Sequence, residues 1–99
     1  MDWNGRALVQ TQWLADHLGD PRLRVIDASV IMTRQDDGTW APSSGRNDYQ
    51  SSHIPGAQFV DLLTELQDRD ADLPFMLPGP TAFATEIGAK GIGDEDMVV

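Results

Sequence analysis

One histidine, one arginine and two aspartates are the side chains whose setting in this sequence admits chemistry. His53 stands directly before Ile54-Pro55-Gly56-Ala57 and follows Tyr49 at a spacing of four. An imidazole beside a structural turn can act as a general base or proton relay near a substrate carboxylate. It can equally bond a backbone carbonyl and hold the turn. Asp27 and Asp61 each close a stretch that reads as a strand, and ligands of open α/β sheets collect outside the carboxyl ends of strands. Two such carboxylates could hold Mg2+ for phosphoryl transfer, or cap helices and pair with Arg24 or Arg46. Arg46 lies just ahead of Asn47-Asp48-Tyr49. It could steer an anionic substrate, or pair with Asp48 on the surface, where such a pair contributes about 0–1 kcal/mol. The 99 residues contain no cysteine, which excludes a thiolate nucleophile, a disulfide framework and a thiolate metal site.

The elements that must position these side chains follow from the apolar pattern. Residues 7–9 read as a short extended segment. Thr11 is placed to cap a helix through about residue 18, with Trp13, Leu14, His17 and Leu18 at helical spacing and Gly19 as the stop. Pro21 separates it from a strand over residues 23–28. Residues 32–46 are polar and rich in Gly, Pro and Ser, and read as a long surface loop; Trp40 within it would cover the loop base or pack on a partner domain. Residues 47–51 form a short helix carrying Tyr49. Pro55 fixes its own φ and holds Ile54 extended, Gly56 permits a backbone geometry closed to other residues, and the small Ala57 lets the chain enter a strand over residues 57–60.

Residues 62–79 are irregular, since Pro74 and Pro78 argue against helix. Pro80 suits the first turn of a helix running to about residue 90, with Phe83, Ala84 and Ile87 as its buried stripe. The glycines Gly88, Gly91 and Gly93 follow that helix instead of preceding one, so they are no phosphate loop. Met97-Val98-Val99 is a further apolar strand. Short apolar strands alternating with helices predict α/β architecture with a mainly parallel sheet flanked by helices, incomplete at the C-terminus.

Sixteen acidic against seven basic side chains give a net charge of −9. That surface repels phosphate backbones and anionic membranes, so neither nucleic acid nor a membrane is an expected partner. Met1-Asp2-Trp3-Asn4-Gly5 lacks the basic and apolar regions of a secretion signal, and no apolar run approaches the ~18 residues of a bilayer span. A cytoplasmic location is expected. Trp3, Trp13 and Trp40 do not cluster in sequence.

The run Tyr49-Gln50-Ser51-Ser52-His53-Ile54-Pro55-Gly56-Ala57-Gln58-Phe59-Val60 resembles the first signature of the rhodanese-like sulfurtransferases. The likeness extends in order through Val25-Ile26-Asp27-Ala28-Ser29, Gly45-Arg46-Asn47-Asp48-Tyr49, Phe59-Val60-Asp61-Leu62, Leu73-Pro74-Phe75-Met76-Leu77-Pro78, Phe83 and Gly91-Ile92-Gly93-Asp94-Glu95-Asp96, covering about residues 8–99. It is to the first domain of the tandem thiosulfate and 3-mercaptopyruvate sulfurtransferases. The resemblance implies a rhodanese-like fold, a nucleophilic cysteine in a second domain absent from this chain, and no cofactor or metal. It implies a C-terminal rhodanese-like domain of the same protein as partner, a small-molecule sulfur donor, and cyanide or a thiol as acceptor. His53 becomes an accessory relay by resemblance, and Tyr49, His53, Ile54, Pro55, Gly56 and Ala57 the structural signature; thiosulfate is then the kind of anion that Arg46 could steer. A cysteine-free structural or partner-binding module without activity is the alternative.

Overall fold

Residues 23–27 form the axis of the fold. The computed structural model describes residues 7–99; the segment 1–5 and Trp3, read above from sequence, lie outside the described residues. Successive backbone groups of an extended chain face opposite edges, and this short run uses both. On one edge, Arg22 O accepts from Met97 N (2.8 Å), Arg24 O accepts from Val99 N (2.9 Å), and Ile26 N donates to Val99 O (2.8 Å). On the other, Val25 O accepts from Gln58 N (3.0 Å) and Asp27 O from Val60 N (2.9 Å). The single strand expected here is therefore two pairings: β1 Leu23–Arg24 and β2 Ile26–Asp27. Both are parallel, β1 to β6 (Met97–Val98) with Leu23 opposite Met97, and β2 to β5 (Gln58–Phe59) with Ile26 opposite Gln58. Leu23, Val25, Ala57, Phe59 and Val60 are buried, as parallel strands require.

Leu14 of α1 (Thr11–His17) packs on Leu23, Val25 and Ala57, with Trp13, Leu18, Met97 and Val99 around them. Thr11 is the first helical residue and not the cap; Gln10 takes that place through its carbonyl, which accepts from Leu14 N at 3.1 Å. Residues 7–9 are not a strand, and Leu8 is 86% exposed: extended chain becomes a strand only when an edge accepts it.

The loop expected over residues 32–46 is an antiparallel hairpin instead. β3 (Val30–Arg34) pairs with β4 (Trp40–Ser44), Val30 opposite Ser44 and Arg34 opposite Trp40. Gln35 N bonds Thr39 O at 2.7 Å, and Gly38 turns the chain at φ +87°. Asp37 accepts from the hydroxyl and the N–H of Thr39, which hold its carboxyl below the usual range. Asp37-Gly38 after the β-branched run is the hairpin signal that the polar composition masked. Trp40 is 56% exposed on this arm and does not cover a loop base.

The C-terminal half holds α3 (Pro80–Ala89), entered through Gly79 with Pro80 in its first turn. Its expected buried stripe is not buried: Phe83 is 42% exposed, Ala84 is exposed and Ile87 is half-buried. The three line one wall of an open groove with Ile26, Leu66, Ile92 and Val98. Residues 62–79 are turns and bends. Asp68 N bonds Met76 O (2.7 Å) and Phe75 N bonds Gln67 Oε1 (2.7 Å), which carries Phe75 into the left-handed region at φ +60°.

Candidate functional site

Gly45 delivers the chain from the hairpin into α2 (Arg46–Ser51). Its N–H bonds Ser29 O at 3.1 Å, and a Cβ at this position would lie 2.5 Å from that oxygen. Only glycine allows the hairpin base to close this tightly. The helix then sets Arg46 and Tyr49 on one side, and the chain leaves it with His53 one turn beyond Tyr49.

That spacing stacks the two rings, with centroids 3.9 Å apart and planes 19° from parallel. His53 Nδ1 lies 2.7 Å from Tyr49 O. A carbonyl only accepts, so Nδ1 carries the proton and Nε2 of the neutral ring holds the lone pair. Tyr49 Oη donates to Ala57 O at 2.6 Å. Ala57 N returns to Ile54 O at 2.9 Å, and Gly56 stands at φ +80°. With proline second and a left-handed glycine third, residues 54–57 are a type II turn, and Tyr49 braces it from outside through Ala57 O. Ala57 is 4% exposed inside the core cluster, which leaves no room for a longer side chain. Ile54, 44% exposed, lines a shallow hollow with Asp27, Ala28 and Ser29.

Arg46 reaches the same aromatic row from the other end. Its Cζ sits 4.8 Å from the centroid of Phe59, a cation–π distance, and Phe59 meets Tyr49 at 5.5 Å. Arg46 Nη2 is 3.9 Å from Glu65 Oε1, and Glu65 Oε2 accepts from Lys90 Nζ at 2.8 Å. His53, Tyr49, Phe59, Arg46, Glu65 and Lys90 thus form one continuous row, although His53 and Arg46 do not touch among the described residues. Burial pushes the Glu65 carboxyl upward; the hydrogen bonds from Lys90 and Asp61 N–H, with the charges of Lys90 and Arg46, outweigh it and hold the group below its ordinary value.

The two aspartates are engaged locally. Asp27 Oδ1 accepts from Ser29 N (3.0 Å) and Ser29 Oγ (2.6 Å). Asp61, 8% exposed, accepts from Leu63 N at 2.9 Å. Asp61 neither pairs with Arg46 nor caps a helix; both carboxylates fix turns, as aspartates do two residues ahead of a free N–H. Among the described residues no three potential metal-ligating side chains gather. Sequence reasoning missed Phe59, Glu65 and Lys90 as parts of the row. Glu65 and Lys90 are brought together by α3 returning to the sheet, and no local pattern announces that.

The fold and the signature turn define a rhodanese-like domain. A crystal structure of an Escherichia coli 3-mercaptopyruvate sulfotransferase described as having the "rhodanese" fold superposes with a TM-score of 0.74 at 34% identity, over 92% of this chain and 32% of that one. Among curated proteins, the Escherichia coli 3-mercaptopyruvate sulfurtransferase is 35% identical over 91 residues, 92% of this chain and 30% of that protein. The thiosulfate sulfurtransferase of Cricetulus griseus is 39% identical over 100 residues, 95% of this chain and 30% of that protein. No family model matches the sequence. The chain belongs to the 3-mercaptopyruvate and thiosulfate sulfurtransferase family, and it spans about 30% of the length of these relatives.

Proposed function

We propose that this chain is the N-terminal, non-catalytic part of a two-domain sulfurtransferase, comprising part of its first rhodanese-like domain. The observation that carries the reading is a rhodanese-like signature, complete in its turn geometry, in a sequence without cysteine. The nucleophile then belongs to a second rhodanese-like domain of the same protein. There a cysteine thiolate attacks the outer sulfur of thiosulfate: the donor S–S bond breaks, sulfite leaves, and a persulfide forms. Cyanide or a thiol next takes the outer sulfur and the thiolate returns. With 3-mercaptopyruvate the broken bond is C–S, and the leaving pyruvate carbanion takes up a proton.

In this reading Arg46 attracts the anionic donor, and His53, exposed and oriented by its bond to Tyr49 O, is the accessory relay for that proton. A cytoplasmic location belongs to the same proposal. Among the described residues no helix is long and apolar enough to cross a membrane.

Thiocyanate formation from thiosulfate and cyanide tests it. The full-length gene product is expected to turn over and the pure 99-residue chain to be inert; turnover by the 99 residues alone would overturn the reading. A second reading, a cysteine-free partner-binding module, draws on the exposed Met32 and Trp40 of the hairpin and on Leu73 and Leu77. It predicts a native gene product in source cells that ends at Val99 and sediments with a partner.

A further inference from the structure

Arg46 differs from the other arginines that hold a partner here. Arg24 donates to Pro21 O, Leu23 O and Gly91 O and pairs with Asp96, so its fork is engaged. Arg22 lies 3.6 Å from Asp20, two residues before it, and its guanidinium likewise makes no hydrogen bond among the described residues, but no aromatic ring there holds it in place. The Arg46 guanidinium, half exposed, lies over Phe59 and near Glu65, yet makes no hydrogen bond among the described residues. Its 3.9 Å approach to Glu65 exceeds hydrogen-bond range. The cation is held in place while its N–H donors stay open.

What holds it is a carboxylate fixed from two other sides. Glu65 Oε2 accepts from Lys90 Nζ at 2.8 Å, and Glu65 Oε1 accepts from Asp61 N at 2.9 Å. Glu65 N returns to Asp61 O at 2.8 Å, and Asp61 is itself buried behind β5. Lys90 is only 15% exposed and matches the charge of Glu65. Arg46 and Lys90 are matched in number by the carboxylates of Glu65 and Asp61, so the cluster is formally neutral on a chain whose net charge is −9. A preset planar fork with free donors is what recognition of an oxyanion needs.

We infer that Glu65 is a positioning residue: it fixes Arg46 over Phe59 so that the guanidinium presents its free N–H edge to an anionic sulfur donor. The inference rests on the proposed role of Arg46 and names what builds that site.

The sign of one effect separates positioning from charge. If Glu65 contributed only its negative charge, Glu65→Gln would make the patch more positive and bind an anion more tightly. If it positions Arg46, the same variant binds more weakly. Thiosulfate binding to the full-length protein by calorimetry, beside steady-state thiocyanate formation, reads both. Expected for Glu65→Gln are a Kd and a KM raised about two- to fivefold, the scale of a part-exposed ion pair, with kcat within twofold. Arg46→Ala is expected to raise both at least as much, and the double variant no further than Arg46→Ala alone, because Glu65 acts through Arg46. Glu65→Asp, which keeps the charge and shortens the reach, should also weaken binding, and it serves if Glu65→Gln does not fold. Tighter or unchanged thiosulfate binding in the Glu65 variants overturns the inference. Binding that shifts as expected in a protein without turnover would leave the positioning role standing and sink the sulfurtransferase reading.

Discussion

The chain builds the same small device twice and uses it differently. Trp13 and His17 stack at 4.0 Å and 17°, with His17 Nδ1 2.6 Å from Trp13 O. Tyr49 and His53 stack at 3.9 Å and 19°, with His53 Nδ1 2.7 Å from Tyr49 O. An aromatic residue one helical turn ahead of a histidine is enough to produce it. The surroundings then diverge. Trp13 packs on the core cluster of Leu14, Leu23, Val25 and Ala57, and its pair ends there. Tyr49 bonds the signature turn at Ala57 O and continues through Phe59 to Arg46, Glu65 and Lys90, while His53 stays exposed. The carbonyls differ too: that of Tyr49 is an orphan at the end of α2, whereas that of Trp13 lies a turn inside α1. An aromatic–histidine pair is therefore a local structural unit, and what it is tethered to decides whether it can serve a site.

Removing each partner in turn tests this contrast. The largest effect is expected on stability at Trp13. Trp13→Ala strips the part-buried indole from the core and should cost about 2–4 kcal/mol in a urea titration of the full-length protein. A loss no greater than that of Tyr49→Phe would place the core elsewhere. On activity the order reverses. His53→Ala should lower turnover by about tenfold or more, as loss of a proton relay does, while His17→Ala leaves kcat within about twofold. Equal losses from the two histidines would reduce both to structural caps.

Tyr49→Phe keeps the stack and deletes only the hydroxyl. With Ala57 O unpartnered, about 1–2 kcal/mol of stability should go; an unchanged urea midpoint would show that water replaces the bond. The smallest effect is expected from acid. The Glu65 carboxyl is held low in the folded state, so its contribution is present above the ordinary glutamate pKa of about 4.3 and is lost as pH falls through the depressed folded value. The change should stay near 1 kcal/mol or less, be absent in Glu65→Gln, and register in Tyr49 resonances but not in Trp13 fluorescence.

Local chemistry made much of this legible. Proline followed by glycine at 55 and 56 dictated the turn, Pro80 the start of α3, and the apolar runs near 25, 58 and 98 the parallel strands. The hairpin was lost because the turn after β3 and the exposed β4 carry the Gly, Pro and Ser of a loop; their order comes from cross-strand bonds, which composition does not record. The stripe of Phe83, Ala84 and Ile87 was legible as apolar but not as uncovered. Whether an apolar face is buried depends on what packs against it.

By itself the sequence determined the class of sheet, the signature turn and the absence of cysteine, because each depends on residue type or on neighbours within a turn. Only the tertiary structure decided that Arg46, Phe59, Glu65 and Lys90 meet, that Asp27 and Asp61 are engaged in turns, and that of two equal aromatic–histidine pairs one joins the core and the other the signature turn. Those outcomes depend on backbone hydrogen bonds between strands and on side chains brought together from distant positions, which spacing along a chain does not encode.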